Sequence, residues 1–327
     1  MYHSRFKGIH YETGFRYGQL LYNHGKILNS CPTFPIDESR IEFAKKCIRK
    51  IEPIYPEIIE EVKGLAKGNN TEFDFLSALI FSMYCYDTDV HCSCFAYNNG
   101  TETVFGRNSD FLVSIEKLYM NVLYKLDNVY SFNGNTTAFI EIEDGVNEHG
   151  LAVGLTFVPI RKIKPGFNVG IIVRYLLEKC KTVNEAINKL QELPIASGGT
   201  LTLADKTGSI AMVELSPNKI VVKKKRKGYV YSTNIFTSKE LEKLNIKDFD
   251  NWKAKERYET FSKAFKENKT SISFSKNVLK GEYGFMCQYD RSKNADTVWS
   301  VVYNLTSKEI YRCEGNPRRK TYKLDTR

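Results

Sequence analysis

His91-Cys-Ser-Cys-Phe-Ala-Tyr97, followed by Phe105-Gly-Arg-Asn-Ser-Asp-Phe111, is the stretch on which the reading of this chain turns. Phe95-Ala-Tyr97, the turn Asn98-Asn-Gly100 and the return Thr103-Val-Phe-Gly106 predict a β-hairpin. A cysteine on the first residue of a strand is held rigidly at a sheet rim, a good position for a nucleophile. The returning strand and its exit bring Arg107 and Asp110 towards Cys92. An arginine beside a thiol favours thiolate, and a carboxylate can orient an ammonium group. No histidine or second acid stands at triad spacing to act as base. A free α-amino group would fill that gap. If the His91–Cys92 bond were cut, the new amine, with a reference pKa of roughly 7.7 to 8.0, would sit next to the sulfur and take its proton near neutrality. Asp110 would hold that amine in place.

Upstream of the hairpin the chain reads as helices. Ile41, Ala44, Cys47, Ile48 and Ile51 recur at helical spacing, as do Ile58, Ile59, Val62, Leu65 and Ala66. Gly68-Asn-Asn70 breaks the pattern, and Thr71-x-x-Asp74 predicts a capping box opening a helix over Phe75 to Tyr84. Downstream, strands are predicted at Tyr119–Lys125, Phe139–Ile142, Leu151–Phe157, Leu201–Ala204, Ile210–Leu215, Lys219–Val222, Val230–Ser232, Thr297–Tyr303 and Glu309–Arg312. Helices interrupt them at Gly170–Lys179, at Val183–Leu193 (entered through Thr182) and from Asn251 to about Phe265. Consecutive strands between clustered helices mean an α+β fold with antiparallel sheets rather than alternating βαβ units. The natural boundary is the junction 91/92.

Composition narrows the function. With 42% hydrophobic, 26% charged and 13% aromatic residues, the chain is an ordinary globular protein. The net charge of +10 is thinly spread. Its densest run, Lys223 to Lys227, reads as a solvated hairpin tip; a second cluster is Arg318-Arg319-Lys320. No basic stripe interleaved with aromatics marks a nucleic-acid module. The start lacks the apolar segment of a signal peptide, and no run approaches a membrane span, so a soluble cytoplasmic protein is expected. The eight cysteines have no framework spacing and are expected to be mostly free, with Cys47 and Cys180 as packed thiols. Neither Cys92-x-Cys94 nor the five histidines form a metal-ligand pattern.

At these residues the sequence resembles the linear-amide C–N hydrolases of the N-terminal-nucleophile superfamily, in particular the acyl-CoA:6-aminopenicillanic acid acyltransferase group. The resemblance rests on Cys92-Ser-Cys-Phe95 and Gly106-Arg-Asn-Ser-Asp110. It continues in order through Val146 to Leu155, Lys181 to Ala186, Ser232-Thr-Asn234, Glu256-Arg-Tyr258, Thr297 to Val302 and Cys313 to Pro317, and Glu12 to Gly18 is similar to the leader's first helix. It implies a four-layer αββα sandwich, a helical leader of residues 1–91 that becomes a small subunit after self-cleavage, and a catalytic region of residues 92–327 folded with it as one unit. It implies catalysis without metal or bound cofactor. By position, Cys92 is nucleophile and, through its amine, base; Arg107 and Asp110 position the amine and tune the thiol. Asn234 donates to the oxyanion and Arg257 shapes the pocket. Thr156 stands where some relatives place a second oxyanion-hole asparagine, and Asn147 is a further candidate, although a turn role before Gly150 suits it better.

Two departures stand out. His91 replaces a small residue before the nucleophile, and Cys94 offers a second thiol on the same face of the strand. Taken alone, Arg257 would be expected on a solvated helical face, Arg107 and Asp110 as an internal ion pair, and Trp299 in the core. The expected activity is hydrolysis of a linear N-acyl amide through an acyl-cysteine. The alternatives are acyl transfer from acyl-CoA or an amide to an amine, a retained scaffold whose leader is never cut, and a dithiol protein using Cys92 and Cys94. The expected partner is a small N-acyl or acyl-CoA substrate; the sequence leaves a homo-oligomer open.

Overall fold

In the computed structural model, residues 2–29, 34–86, 91–247 and 249–326 are described. A strand the periodicity did not reveal, β1 (Tyr2–Gly8), precedes α1 (His10–Asn23), α2 (Glu38–Ile51), α3 (Pro56–Asn69) and α4 (Phe73–Phe81). The hairpin follows as β2 (His91–Asn98) and β3 (Thr103–Leu112). Next come β4 (Met120–Leu126), β5 (Phe132–Thr136), β6 (Asp144–Asn147) and β7 (Leu151–Phe157). Helices α5 (Val169–Lys179) and α6 (Val183–Glu192) lead to β8 (Gly199–Asp205), β9 (Ile210–Ser216), β10 (Lys219–Lys225) and β11 (Gly228–Ser232). The chain closes with α7 (Ala254–Glu267), α8 (Ile272–Lys280), β12 (Ala295–Asn304), β13 (Glu309–Cys313) and β14 (Lys323–Leu324).

The strands form two sheets, ordered β1-β4-β5-β6-β7-β8-β9-β10 and β11-β2-β3-β12-β13-β14. All pairings are antiparallel except that of β1 with β4. Period-2 alternation sorts each strand between two cores. On β2 and β3, Cys94, Ala96 and Phe105 point between the sheets at Ala152, Ala204 and Met212. Phe95, Tyr97 and Val104 point the other way, into Phe261, Phe265, Phe274 and Leu279 of α7 and α8. The outer face of the larger sheet packs on α1 to α6 through the largest cluster. The result is the expected four-layer αββα sandwich.

Several local expectations are corrected. Phe139–Ile142 is a turn, with Phe139 at φ 60°, and its two flanks are the strands β5 and β6. Thr71 does not cap α4; its hydroxyl donates to Asn69 Oδ1, and the helix begins at Phe73. The basic run 223–227 is not a hairpin tip. Lys223 to Lys225 finish β10 against β9, and Arg226-Lys227 turn the chain into β11 of the other sheet. Those five side chains are exposed, as expected of a solvated run. Cys47 and Cys180 are buried and free, whereas Cys31 lies outside the described residues. No described helix is long and apolar enough to cross a membrane.

The helices upstream of Cys92 are welded to the sandwich. Gly14 and Gly18 of α1 face Gly64 and Gly68 of α3, and a Cβ on Gly64 would meet Tyr11 O at 2.0 Å. Only glycine allows the backbones to approach so closely. Beneath them Arg174 of α5 donates to Glu61 of α3 at 2.9 Å and to Glu178 at 2.5 Å. His10 Nε2 and Tyr55 OH reach Glu178 Oε2 at 3.1 and 2.5 Å. Each of these five side chains is essentially excluded from solvent.

Candidate active site

Cys92 lies on the second residue of β2, opposite Ser109 of β3, and is fully buried. Alternation turns its side chain to the inter-sheet side, the side on which Arg107 leaves β3. Arg107 Nη2 donates to Cys92 Sγ at 2.7 Å. A glycine makes room for this crossing: a Cβ on Gly154 of β7 would lie 2.5 Å from the Phe105 ring and 3.3 Å from both Arg107 Cδ and Cys94 Sγ.

The rest of the Arg107 guanidinium is fully engaged. Nη2 also donates to Glu143 Oε2 at 3.2 Å, Nη1 to Asp144 Oδ2 at 3.0 Å, and Nε to Leu155 O at 3.1 Å. Glu143 is further held by Ser109 Oγ and by the Thr137 N–H and hydroxyl. Asp144 accepts from Trp299 Nε1 at 2.9 Å, Tyr303 OH at 2.7 Å and Asn135 Nδ2 at 2.6 Å. Trp299 is thus in the core, as expected, and also orients an acid of the site.

The outer side of β2 meets α7. Arg257, expected on a solvated face if taken alone, is fully buried. It donates to Cys92 O at 2.5 Å, Ser93 Oγ at 3.0 Å and Asn234 Oδ1 at 2.9 Å. Its remaining N–H groups reach Asn251 O and Trp252 O, carbonyls presented by a turn whose Trp252 and Lys253 have φ 48° and 58°. That left-handed pair is costly for side-chain-bearing residues and explains why α7 starts at Ala254 rather than Asn251. Asn234, just past β11, accepts the Cys92 N–H at 2.9 Å and donates to Phe157 O at 2.8 Å. Asp110 Oδ2 lies 3.6 Å from Arg257 Nη1 and accepts from Tyr289 OH at 2.9 Å; its Oδ1 accepts from Thr297 Oγ1 at 2.6 Å.

Burial dominates the electrostatics. It pushes the Cys92 thiol up to about 12; Arg107 and Arg257 pull it down, while Glu143 and Asp110 push it up. Burial likewise raises Asp110 to about 6, against the pull of Arg257 and its hydroxyl partners. Cys94 is raised well above a normal thiol by burial in the inter-sheet core. The His91 ring stacks on Trp252 (4.6 Å between centroids), both its nitrogens are without hydrogen-bond partners, and burial with nearby Arg257 drives its pKa well below 6.5.

The sequence profile of the acyl-coenzyme A:6-aminopenicillanic acid acyl-transferase family matches residues 97–319, well over half the chain. The chain belongs to this family. The match spans Arg107, Asp110, Asn234 and Arg257 and begins five residues after Cys92. A search of curated proteins finds no match. Solved structures similar to this chain include penicillin V acylase from Agrobacterium tumefaciens, 18% identical with a TM-score of 0.49, covering 68% of this chain and 82% of that one. A mutant conjugated bile acid hydrolase from Clostridium perfringens is 15% identical with a TM-score of 0.48, covering 68% and 88%.

For this member of the acyl-transferase family, two candidate residues remain, Thr156 and Asn147, and Asn147 takes the turn position before Gly150 expected of it. Thr156 is buried behind Asn234: its hydroxyl donates to Thr233 O at 2.9 Å and shares a hydrogen bond with Thr200, so it braces the strand end. Asn147 is not brought to the site. It lies at the start of the β6–β7 turn, about 20 Å from Phe157 along β7 at ~3.3 Å per residue. Its Nδ2 donates to Leu177 O and Cys180 O, and its Oδ1 accepts from His149 N and Leu151 N. Four residues escaped the sequence reading: Glu143, Asp144, Ser93 and Tyr289. A signal for the first two existed in Glu141-Ile-Glu-Asp144, an acidic cluster flanked by Ile140 and Gly145 with no balancing base.

Proposed function

We propose that the chain cuts itself at His91–Cys92 and then hydrolyses linear N-acyl amides through an acyl-Cys92 thioester. The observation that carries this reading is the 2.7 Å contact of Arg107 Nη2 with Cys92 Sγ, on a residue whose N–H and carbonyl are clamped by Asn234 and Arg257. The structure is that of the uncut chain, with thiol and scissile nitrogen on one fixed residue. In self-cleavage, Sγ attacks the His91 carbonyl carbon, its proton passes to the leaving nitrogen, and a thioester replaces the peptide bond. Water then hydrolyses that thioester, leaving the His91 carboxylate and the Cys92 amine.

The freed amine serves as the base for every later turnover. It takes the thiol proton as Sγ attacks a substrate amide, hands it to the departing amine, and finally deprotonates the water that releases the acid. Asp110 holds the ammonium form, Arg107 stabilises developing thiolate, and Asn234 with backbone N–H groups stabilises the oxyanion. Removing such a donor costs about a hundredfold in rate.

Intact mass of the purified protein tests the first step without a substrate. Two chains, ending at His91 and beginning at Cys92, are expected from the parent and from Cys94→Ser, and one chain from Cys92→Ala. A folded parent that stays whole overturns the reading. Amine release from N-acyl substrates (phenoxyacetyl, long-chain acyl, bile-acid conjugates) tests the second. Family membership favours one further reading, capture of the acyl group by an amine instead of water, with acyl-CoA as donor. Product analysis with an added amine separates the two.

A further inference from the structure

A groove of about 680 Å³ opens between the segment leaving β7, the β9–β10 turn and residues 240–246. Register fixes its place. Phe157 ends β7 opposite Gly199, and Gly199 pairs with Leu215 beside that turn. Phe157 O also accepts from Asn234, which holds Cys92. The groove therefore shares the Cys92 end of the sandwich, separated from Asn234 by the small core of Val158, Phe236 and Leu241.

Its two chemistries are segregated. The interior is apolar, with Ile160, Leu244 and Ile246 half-buried along it. The rim carries four exposed cations, Arg161, Lys162, Lys219 and Lys243, against one acid, Glu240. Among the described residues none of the four has an ion-pair partner, whereas nearby Lys164 is tied to Asn218 of the lining at 2.5 Å. An apolar trough with an uncompensated positive mouth complements a ligand with an alkyl body and an anionic end.

We propose that this groove holds an anionic amphiphilic arm of the substrate acted on at Cys92, its alkyl part on Ile160, Leu244 and Ile246 and its carboxylate or phosphate among Lys162, Lys219 and Lys243. The catalytic consequence rests on the reading of Cys92 above; the binding does not. The groove is present in the uncut chain, so full-length Cys92→Ala protein is the reagent for calorimetry with decyl phosphate, decanoate and decyl glucoside. One-to-one binding of both anions is expected, with the glucoside about tenfold weaker or more. Lys162→Glu/Lys243→Glu should erase that difference, and Leu244→Asp should weaken all three. Equal binding of all three ligands, or none, overturns the proposal. So does charge-dependent binding to phosphatidylserine vesicles with none to decanoate, which would mark a membrane-facing patch. In the processed enzyme the double charge reversal should raise KM for anionic amides about tenfold while leaving kcat and short neutral amides unchanged. Intact calorimetry with no amide hydrolysis by the parent would remove the catalytic reading and leave the groove standing.

Discussion

Arg107 Nη2 sits 2.7 Å from Cys92 Sγ and 3.2 Å from Glu143 Oε2, so one guanidinium nitrogen serves both the Cys92 thiol and a buried acid. With Asp144 on Nη1, the arginine is compensated twice over before the thiol ionises. This is why the Arg107 contact alone does not yield a thiolate: burial outweighs it, and the carboxyls of Glu143 and Asp110 oppose it. A proton acceptor at the site is still required, which is the role given to the α-amine.

Removing Arg107 leaves Glu143 and Asp144 buried beside each other without a cation. In the Cys92→Ala background, Arg107→Met should therefore cost about 3–5 kcal/mol in urea unfolding. Adding Glu143→Gln and Asp144→Asn should recover a large part of that loss. Equal stability of the single and triple variants would contradict this compensation.

Asp110 gives a pH signature of definite sign. Its folded pKa of about 6 lies above its ordinary 3.8, so the fold binds the extra proton between those values. Stability therefore falls as pH rises from 3.8 to 6 and stays lower above it, by roughly 3 kcal/mol for a difference of this size. Asp110→Asn in the Cys92→Ala background should flatten that part of the stability-versus-pH curve, read by unfolding midpoints at pH 4, 5, 6 and 7.

His91 acts in the opposite direction. Its imidazole is held neutral, with a folded pKa well below 6.5, so only the unfolded chain gains a proton as pH drops through that value. The uncut fold should lose stability below pH 6.5 at up to about 1.4 kcal/mol per pH unit from this residue. His91→Phe keeps the stack on Trp252 and should remove the loss; the difference between Cys92→Ala and Cys92→Ala/His91→Phe at pH 5 measures it.

The leader should stay bound after cleavage. Glu61 in α3 and Arg174 in α5 meet at 2.9 Å without solvent, on opposite sides of the proposed His91–Cys92 cut in sequence. Burial alone would raise Glu178, but Arg174 and His10 outweigh it and hold the carboxyl at about 2. Its stabilisation is full above 4.5 and disappears as pH falls through 2. Both fragments are therefore expected to co-elute on gel filtration at pH 7. Gly64→Ala, which forces a Cβ onto Tyr11 O, should destabilise the chain by about 1–3 kcal/mol or more. Fragments that separate at pH 7 would show that this buried contact does not hold the leader.

Much of this was legible in one dimension because local chemistry writes it there. Period-2 runs, the Asn98-Asn-Gly100 turn and the cap at Thr182 each depend on residues a few positions apart. Strand β1 escaped because a lone edge strand owes its state to pairing with β4, more than a hundred residues away. Phe139–Ile142 misled because Ile140 and Ile142 are buried from a turn rather than from a strand. The solvated reading of Arg257 failed because helical charge patterning counts neighbours on the helix and is blind to the carbonyls of Cys92, Asn251 and Trp252 that cover it.

Sequence alone determined the hairpin, the class of fold and the residue types gathered on β2 and β3, since alternation and turn preference act between near neighbours. The folded chain decided which side chains converge. It carried Asn234 and Arg257 across some 140 and 165 positions to the backbone N–H and C=O of one residue, Cys92, drew Glu143 and Asp144 onto Arg107, and left Asn147 at the far end of β7. Convergence of this kind depends on the stacking of two sheets, a packing outcome of the whole core that no short window of residues encodes.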